Sequence, residues 1–218
     1  SLDLATVEIE SSEAERGAAV YLGPDATMTA SDLDLHDNTA TTGGHILAER
    51  ATATMTRTRM QSGWAQHGGG IAVVESKVHM VNAMVVGNRA PATGGAFYLD
   101  GGDLDLSYVT MTRNQAAIGA GIAAETGHAT VVASIISDNE GETIANAGAT
   151  VALSETLVDG MSLGAAFAGA VLTDLSVIDG EPGFLDADGR DYALTLSSVA
   201  LDAGHAGHAD PDGTPADW

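Results

Sequence analysis

Polar and apolar residues alternate through long stretches of the chain, as in ATATMTRTRM (51–60) and DLDLSYVTM (103–111). A period of two puts successive side chains on opposite faces of an extended backbone, so these stretches predict strands, not helices. The alternation also recurs at a fixed interval. Aligned on one column, Ser12, Asn38, Gly63, Asn88, Asn114 and Asn139 follow one another at steps of 26, 25, 25, 26 and 25 residues. Three positions before this anchor stand Ile9, Leu35, Met60, Val85, Met111 and Ile136. Eight before it stand Leu4, Ala30, Met55, Met80, Leu106 and Val131, and ten before it Leu2, Met28, Ala53, Val78, Leu104 and Ala129. Seventeen before it come Tyr21, Ile46, Ile71, Phe97 and Ile122. A small pair precedes that last column: Ala18-Ala19, Gly43-Gly44, Gly68-Gly69, Gly94-Gly95 and Gly119-Ala120.

Short strands at a constant period, separated by turns, form a coil in which equivalent columns stack on one another. The expected fold is all-β: a right-handed parallel β-helix of about six coils, each of about 25 residues. Ankyrin and tetratricopeptide units require stripes of period 3.6, and leucine-rich repeats a different, Leu-dominated spacing. Neither fits. The Asn column reads as a ladder at a bend, each amide satisfying backbone groups and its neighbour. The Gly/Ala pair marks a second corner. Coils are expected over 1–160, with Val151, Leu153 and Leu157 as core positions of a shortened sixth coil. The remainder, 161–218, is expected to be an irregular cap, its first part wrapping over the open end. The chain starts mid-coil at LDLATVEIE, which suggests further coils upstream.

Composition sharpens this picture. Hydrophobic residues make up 44% of the chain but aromatic ones only 4%, so the core must be thin and regular. The formal net charge is −22, with Lys77 the single lysine. Such a surface repels phosphate backbones and anionic headgroups, which excludes nucleic acid as a partner and disfavours membrane surfaces. No run approaches the roughly 20 apolar residues of a membrane span. There is no cysteine, and so neither disulfide nor thiolate chemistry.

The coils over 1–160, with their N-x-A and GGxxY/F phrases, resemble the β-helix repeat proteins of the pectate-lyase-like superfamily. At the C-terminal end, Asp191-Tyr192-Ala193-Leu194 and Ser197-Ser198-Val199-Ala200-Leu201-Asp202-Ala203-Gly204 resemble the closing phrase of the choice-of-anchor Q class of bacterial surface proteins. Ser198-Val199 stands where that class has Ser-Pro. The resemblance implies an extracellular or cell-surface location, as part of a longer exported bacterial chain. The superfamily includes polysaccharide lyases and glycoside hydrolases, but activity does not follow from fold.

Stacking predicts which distant residues touch. The outward columns before the Asn corner read Glu8, Asp34, Arg59 and Glu10, His36, Gln61, with Arg57 nearby. Glu8 and Asp34, one rung apart, are candidate carboxylates of a glycosidase pair, with His36 as proton shuttle and Arg59 beside them. The competing reading is an exposed ladder in which Arg57 and Arg59 offset the repulsion of stacked acids. Lys77 and Arg89 lie in columns without an evident acidic cluster, so the calcium-assisted lyase pattern is missing. Asp186, Asp188 and Asp191 have the rhythm of an oxygen-ligand loop, making Ca²⁺ the one cofactor the sequence suggests. A plain Asp-Gly turn is the alternative. Asp210-Pro-Asp212-Gly is a weaker version. His79 and Asp105 share a column and are expected to pair, while His205 and His208 lie in the tail. Thr52, Thr54, Thr56 and Thr58 suggest a flat threonine face, interrupted by His79 and Asp105.

The function expected from these features is non-catalytic: adhesion, binding of an extracellular polysaccharide or surface glycan, or a rigid stalk. A carbohydrate-active enzyme using the Glu8/Asp34/His36/Arg59 face is the alternative.

Overall fold

The computed structural model describes residues 1–159 and 177–200. Within them there is no helix, and hence none long and apolar enough to cross a membrane. The strands stack in parallel as a β-solenoid of about six turns. Its longest wall runs from β1 (Leu2–Glu10) through β3 (Thr27–His36), β5 (Thr52–Gln61) and β6 (Ile71–Val86) to β8 (Phe97–Thr112). The wall continues into β10 (Ile122–Val132), β11 (Ile135–Ser137), β13 (Thr150–Ser154) and β14 (Leu157–Val158). A second wall joins β2 (Val20–Leu22), β4 (Ile46–Glu49), the first part of β6 and β8, the start of β10, and β12 (Ile144–Asn146). Between the walls, β7 (Arg89–Thr93) and β9 (Gln115–Ile118) pair on a short bridging face.

The predicted register holds along the main wall. Leu35, Met60, Val85 and Met111 are in-register partners and wholly buried. Val151, Leu153 and Leu157 are buried as expected. The structure adds an inward column that simple alternation hides: Val7, Leu33, Thr58, Ala83, Val109 and Ser134. It arises because Thr6, Asp32, Arg57, Asn82, Tyr108, Ala133 and Glu155 all adopt left-handed φ, between 47° and 55°. One such residue between two alternating segments inverts the parity, so both segments face the core. A second left-handed column, including Ser11, Asp37, Ser62, Gly87, Arg113 and Asp138, turns the chain just before the ladder. Side chains resist this conformation. Here the corner amides still bond to the next rung, as Asp37 N–H does to the Gln61 carbonyl at 3.0 Å.

Four expectations need correction. The first coil carries its extra residue after the second wall, so Val20, not Tyr21, pairs with Ile46 in the buried column. Tyr21 faces outward, its ring 4.5 Å beneath the Arg16 guanidinium and its hydroxyl donating to Glu49. For the same reason the corner begins at Gly17, not Ala18. Gly17, Gly43, Gly68, Gly94 and Gly119 all have positive φ, and at Gly43 a Cβ would run into the Ile46 carbonyl. Thr58 belongs to the inward column and is buried, so the threonine face stops at Thr56. Finally, parallel pairing extends past the expected boundary at residue 160, because β15 (Ile178–Asp179) pairs with β14. The hairpin of β16 (Phe184–Asp186) and β17 (Asp191–Leu194) packs on the flank of the coils: Phe184 and Leu194 cover Ile135 and Leu157. The remainder of the expected cap, including most of the segment placed over the open end, His205, His208 and Asp210–Asp212, lies outside the described residues.

The Asn ladder is directional, and it is buried at Asn38, Asn88 and Asn114. The Oδ1 atoms of Asn38, Asn88, Asn114 and Asn139 accept the backbone N–H of the anchor residue one coil earlier, at 2.8–3.0 Å. Their Nδ2 groups donate to the carbonyls of Ile9, Met60, Val85 and Met111. Gly63 breaks the column, and His45 fills the gap. Its Nδ1 lies 3.0 Å from Asn38 Nδ2 and its Nε2 3.0 Å from Asn88 Oδ1. An amide Nδ2 can only donate and an amide oxygen only accept. His45 is therefore the neutral tautomer protonated on Nε2, standing in for the missing amide. A Cβ at Gly63 would collide with this ring.

Burial pushes the His45 imidazole down to about 4, below its ordinary 6.5. Its contribution to stability is therefore complete above about pH 6.5 and is lost as pH falls toward 4, by up to about 3 kcal/mol. Urea unfolding of wild type and His45→Gln should show the wild-type advantage shrinking across this window; parallel pH profiles would contradict the assignment. Asn88→Ala, which leaves the Gly63 N–H and the His45 Nε2–H unpartnered, should cost about 2–4 kcal/mol at pH 7.

Candidate functional site

The two predicted outward columns are real. Glu8 and Asp34 are in-register partners, as are Glu10 and His36, and Arg59 and Gln61 continue them on the next rung. Strand alternation puts all four first-named residues on the outer face at the first two rungs. His36 Nε2 lies 2.9 Å from Glu8 Oε1 and 3.6 Å from Glu10 Oε2, while Nδ1 lies 3.1 Å from Asp37 Oδ2. Hydrogen bonds to Glu8 and then Asp37 hold the imidazole above its usual range. The Asp34 carboxylate has no hydrogen-bond or ion-pair partner among the described residues. Arg59 turns its guanidinium to Gln61 Oε1 at 3.1 Å, and Arg57 grips Asp32 with two bonds of 2.7 and 2.8 Å. The two arginines thus do not neutralise the stacked acids, which was their expected role. Histidine pairs with Glu8, not with Asp34.

The other expected contacts fare unevenly. Lys77 does have an acidic neighbour, its Nζ lying 3.0 Å from Asp103, with His128 3.7 Å from the same carboxylate. His79 and Asp105 are in register but make no bond. Around the calcium-like loop, Asp186 Oδ1 accepts the Gly189 N–H at 2.9 Å, as in an Asp-Gly turn. Asp188 is ion-paired to Arg113, and Asp191 accepts the Ala193 N–H. Among the described residues, one group of three His, Asp or Glu side chains has ligand atoms all within 4.8 Å of one another, namely Glu8, Glu10 and His36. Asp186, Asp188 and Asp191 do not converge in this way.

Two features escaped the sequence reading. The first is a cleft of about 190 Å³ between the flank and the hairpin, lined by Asp138, Asp159, Glu181 and Phe184. Desolvation there raises the Asp159 carboxyl above its ordinary value; the Asp138 N–H bond opposes the rise, and the charges of Asp138, Glu181 and Asp179 add to it. Nothing in local spacing foretells this cleft, because it depends on where the hairpin docks. The second feature is an unbroken outward column on the bridging face. Glu13, Thr39, Trp64, Arg89, Gln115 and Glu140 are successive bridge partners. At a rung spacing of about 4.8 Å the column is about 24 Å long. The side chains of Trp64, Arg89, Gln115 and Glu140 have no hydrogen-bond or ion-pair partner among the described residues. Arg89, Pro91, Gln115 and Glu140 line a trough of about 440 Å³. The trough opens where the sixth coil narrows, the step from Ile122 to its partner Ile144 being three residues shorter than the usual 25. This column sits immediately beyond the Asn anchors and could have been read from the same alignment.

The chain matches no family model, no curated protein and no solved structure.

Because the folded-state value of Asp159 lies above its unfolded one, its ionisation weakens the fold as pH rises. Asp159→Asn should therefore melt at a higher temperature than wild type at pH 7, and the two should converge near pH 3. A lower melting temperature at pH 7 would show that the charged carboxylate is favourable in its place.

Proposed function

We propose that this β-solenoid is a non-catalytic module of a secreted or cell-surface bacterial protein, and that it holds an extracellular glycan along its bridging face. One observation carries the reading: a rigid column of about 24 Å that presents an aromatic ring and planar hydrogen-bonding groups at sugar-like intervals. Trp64 offers an apolar face with an unengaged indole N–H, the combination that suits a ligand apolar on one side and polar at its edge. Arg89, Gln115 and Glu140 add donors and acceptors on the next three rungs. Elsewhere on the surface, Arg16, Arg57, Lys77 and Arg113 are consumed in ion pairs with the chain's own carboxylates. With a net charge of −22, a neutral polysaccharide is the favoured partner over an acidic one. The resemblance to pectate-lyase-like coils and to the closing phrase of the choice-of-anchor Q class supports an exported, surface-attached setting.

A second reading, a carbohydrate-active enzyme, draws on the cleft at Asp138 and Asp159. There desolvation holds the Asp159 carboxyl above its ordinary value, as a general acid requires, and Asp138 lines the same cleft.

Glycan-array binding followed by affinity electrophoresis separates these readings. Binding without turnover, weakened at least about tenfold by Arg89→Ala and by Trp64→Ala, is the expected result, equivalent to about 1.4 kcal/mol each. Arg89 is exposed, so its variant tests the face without disturbing the fold. Hydrolysis or elimination that disappears in Asp159→Asn, or in Asp34→Ala, would replace the binding reading with the enzymatic one.

A further inference from the structure

The first two rungs carry a compact square of side chains on one outer face: Glu8 beside Asp34, and Glu10 beside His36. Its shape follows from strand geometry. Residues i and i+2 of one strand share a face, and the parallel neighbour supplies the cross-strand residue at rung distance. The geometry points to a divalent transition-metal site formed by Glu8, Glu10 and His36, with Asp37 as the residue that orients the imidazole.

The ligand atoms already converge, since Glu8 Oε1, Glu10 Oε2 and His36 Nε2 lie within 4.8 Å of one another. Asp37 adds a feature that chance acidic patches lack. Its carboxylate accepts from Nδ1–H at 3.1 Å, so a metal ion that displaced the Nε2 proton, which Glu8 accepts at 2.9 Å, would meet the Nε2 lone pair on the side of the glutamates. Carboxylate–histidine pairs of this kind fix the tautomer and aim the ring of metal-bound histidines. Asp37 occupies a left-handed corner, φ 54°, and that corner sends its carboxylate back toward the ring. Charge balance adds an independent reason. Four carboxylates surround one histidine, and the cation in register on the next rung, Arg59, bonds to Gln61 instead. Among the described residues, no cationic side chain other than His36 pairs with the carboxylates of the patch.

Donor type selects the ion. One imidazole with two carboxylates suits Zn²⁺ or Mn²⁺ and disfavours Ca²⁺, which takes six to eight oxygens. Glu8 and Glu10 are exposed, so solvent completes the coordination shell. Asp34, on the same face with its carboxylate unengaged, is placed to supply a further oxygen.

The test is calorimetric titration of the full chain with ZnCl₂ in a non-chelating buffer, repeated with MnCl₂ and CaCl₂. One Zn²⁺ per chain is expected, weakened at least about 100-fold in His36→Ala and about tenfold in Asp37→Asn. Glu10→Gln serves as a second ligand variant, and Asp188→Asn, remote from the patch, should bind like wild type. Co²⁺ substitution gives a separate readout: visible absorption bands in wild type that are missing in His36→Ala. Equal affinities in wild type, His36→Ala and Glu10→Gln, or no saturable binding, would overturn the site. Neither outcome bears on glycan binding at the bridging face, which involves none of these residues.

Discussion

The structure depends on a single demand of parallel coiling: at every bend, backbone groups that no strand partner reaches must still be bonded. The buried amides meet it. Each ladder Asn ties its Oδ1 to the previous coil's anchor N–H and its Nδ2 to a carbonyl three positions before that anchor. An unpaired buried polar group costs about 1–3 kcal/mol, so a satisfied amide holds the bend at the same residue position in each coil that carries the Asn. Once that position is held, the strands on either side stay in register. The core can then be built from Ala, Val, Leu, Ile and Met without large rings.

His45 shows how strict this demand is. Where Gly63 omits the amide, an imidazole seven residues after Asn38 comes in to accept from one Asn and donate to the next. The substitution is asymmetric in its chemistry. An amide cannot gain a proton near neutral pH, whereas an imidazole can, so the third coil carries a sensitivity to acid that the other ladder positions lack. The room for the ring comes from Gly63, where a Cβ would meet the imidazole itself as well as the Gly69 carbonyl.

The same regularity separates the outer faces. On the main wall, many charged groups answer one another across a rung, as Asp32 does Arg57 and Lys77 does Asp103. On the bridging face the column from Trp64 to Glu140 has no such pairing among the described residues, and its side chains are left unengaged by them. At the first two rungs the acids outnumber the cations and gather around His36. These two places have different chemistry, one aromatic and amide-like, the other carboxylate and imidazole, because outward columns are not held to one residue type as the buried ones are.

Much of the fold was legible in the sequence because coiling turns a fixed spacing into lateral contact. Leu35, Met60, Val85 and Met111 stack as their interval requires, and Glu8, Asp34, Glu10 and His36 share a face for the same reason. The first coil misled at Tyr21, because an interval of 26 does not say where its extra residue sits; only the pairing of Val20 with Ile46 does. Likewise, alternation alone hides the inward column at Leu33 and Val109, since a left-handed residue inverts parity without any sequence mark. Rotamers and docking lay further beyond reach. The turn of Arg59 to Gln61 and the grip of Asp37 on His36 are rotamer choices between near neighbours, while His45 in the gap at Gly63 and the cleft at Asp159 bring together segments far apart in the chain. The repeat determined which residues neighbour one another; packing in three dimensions decided which of those neighbours bond.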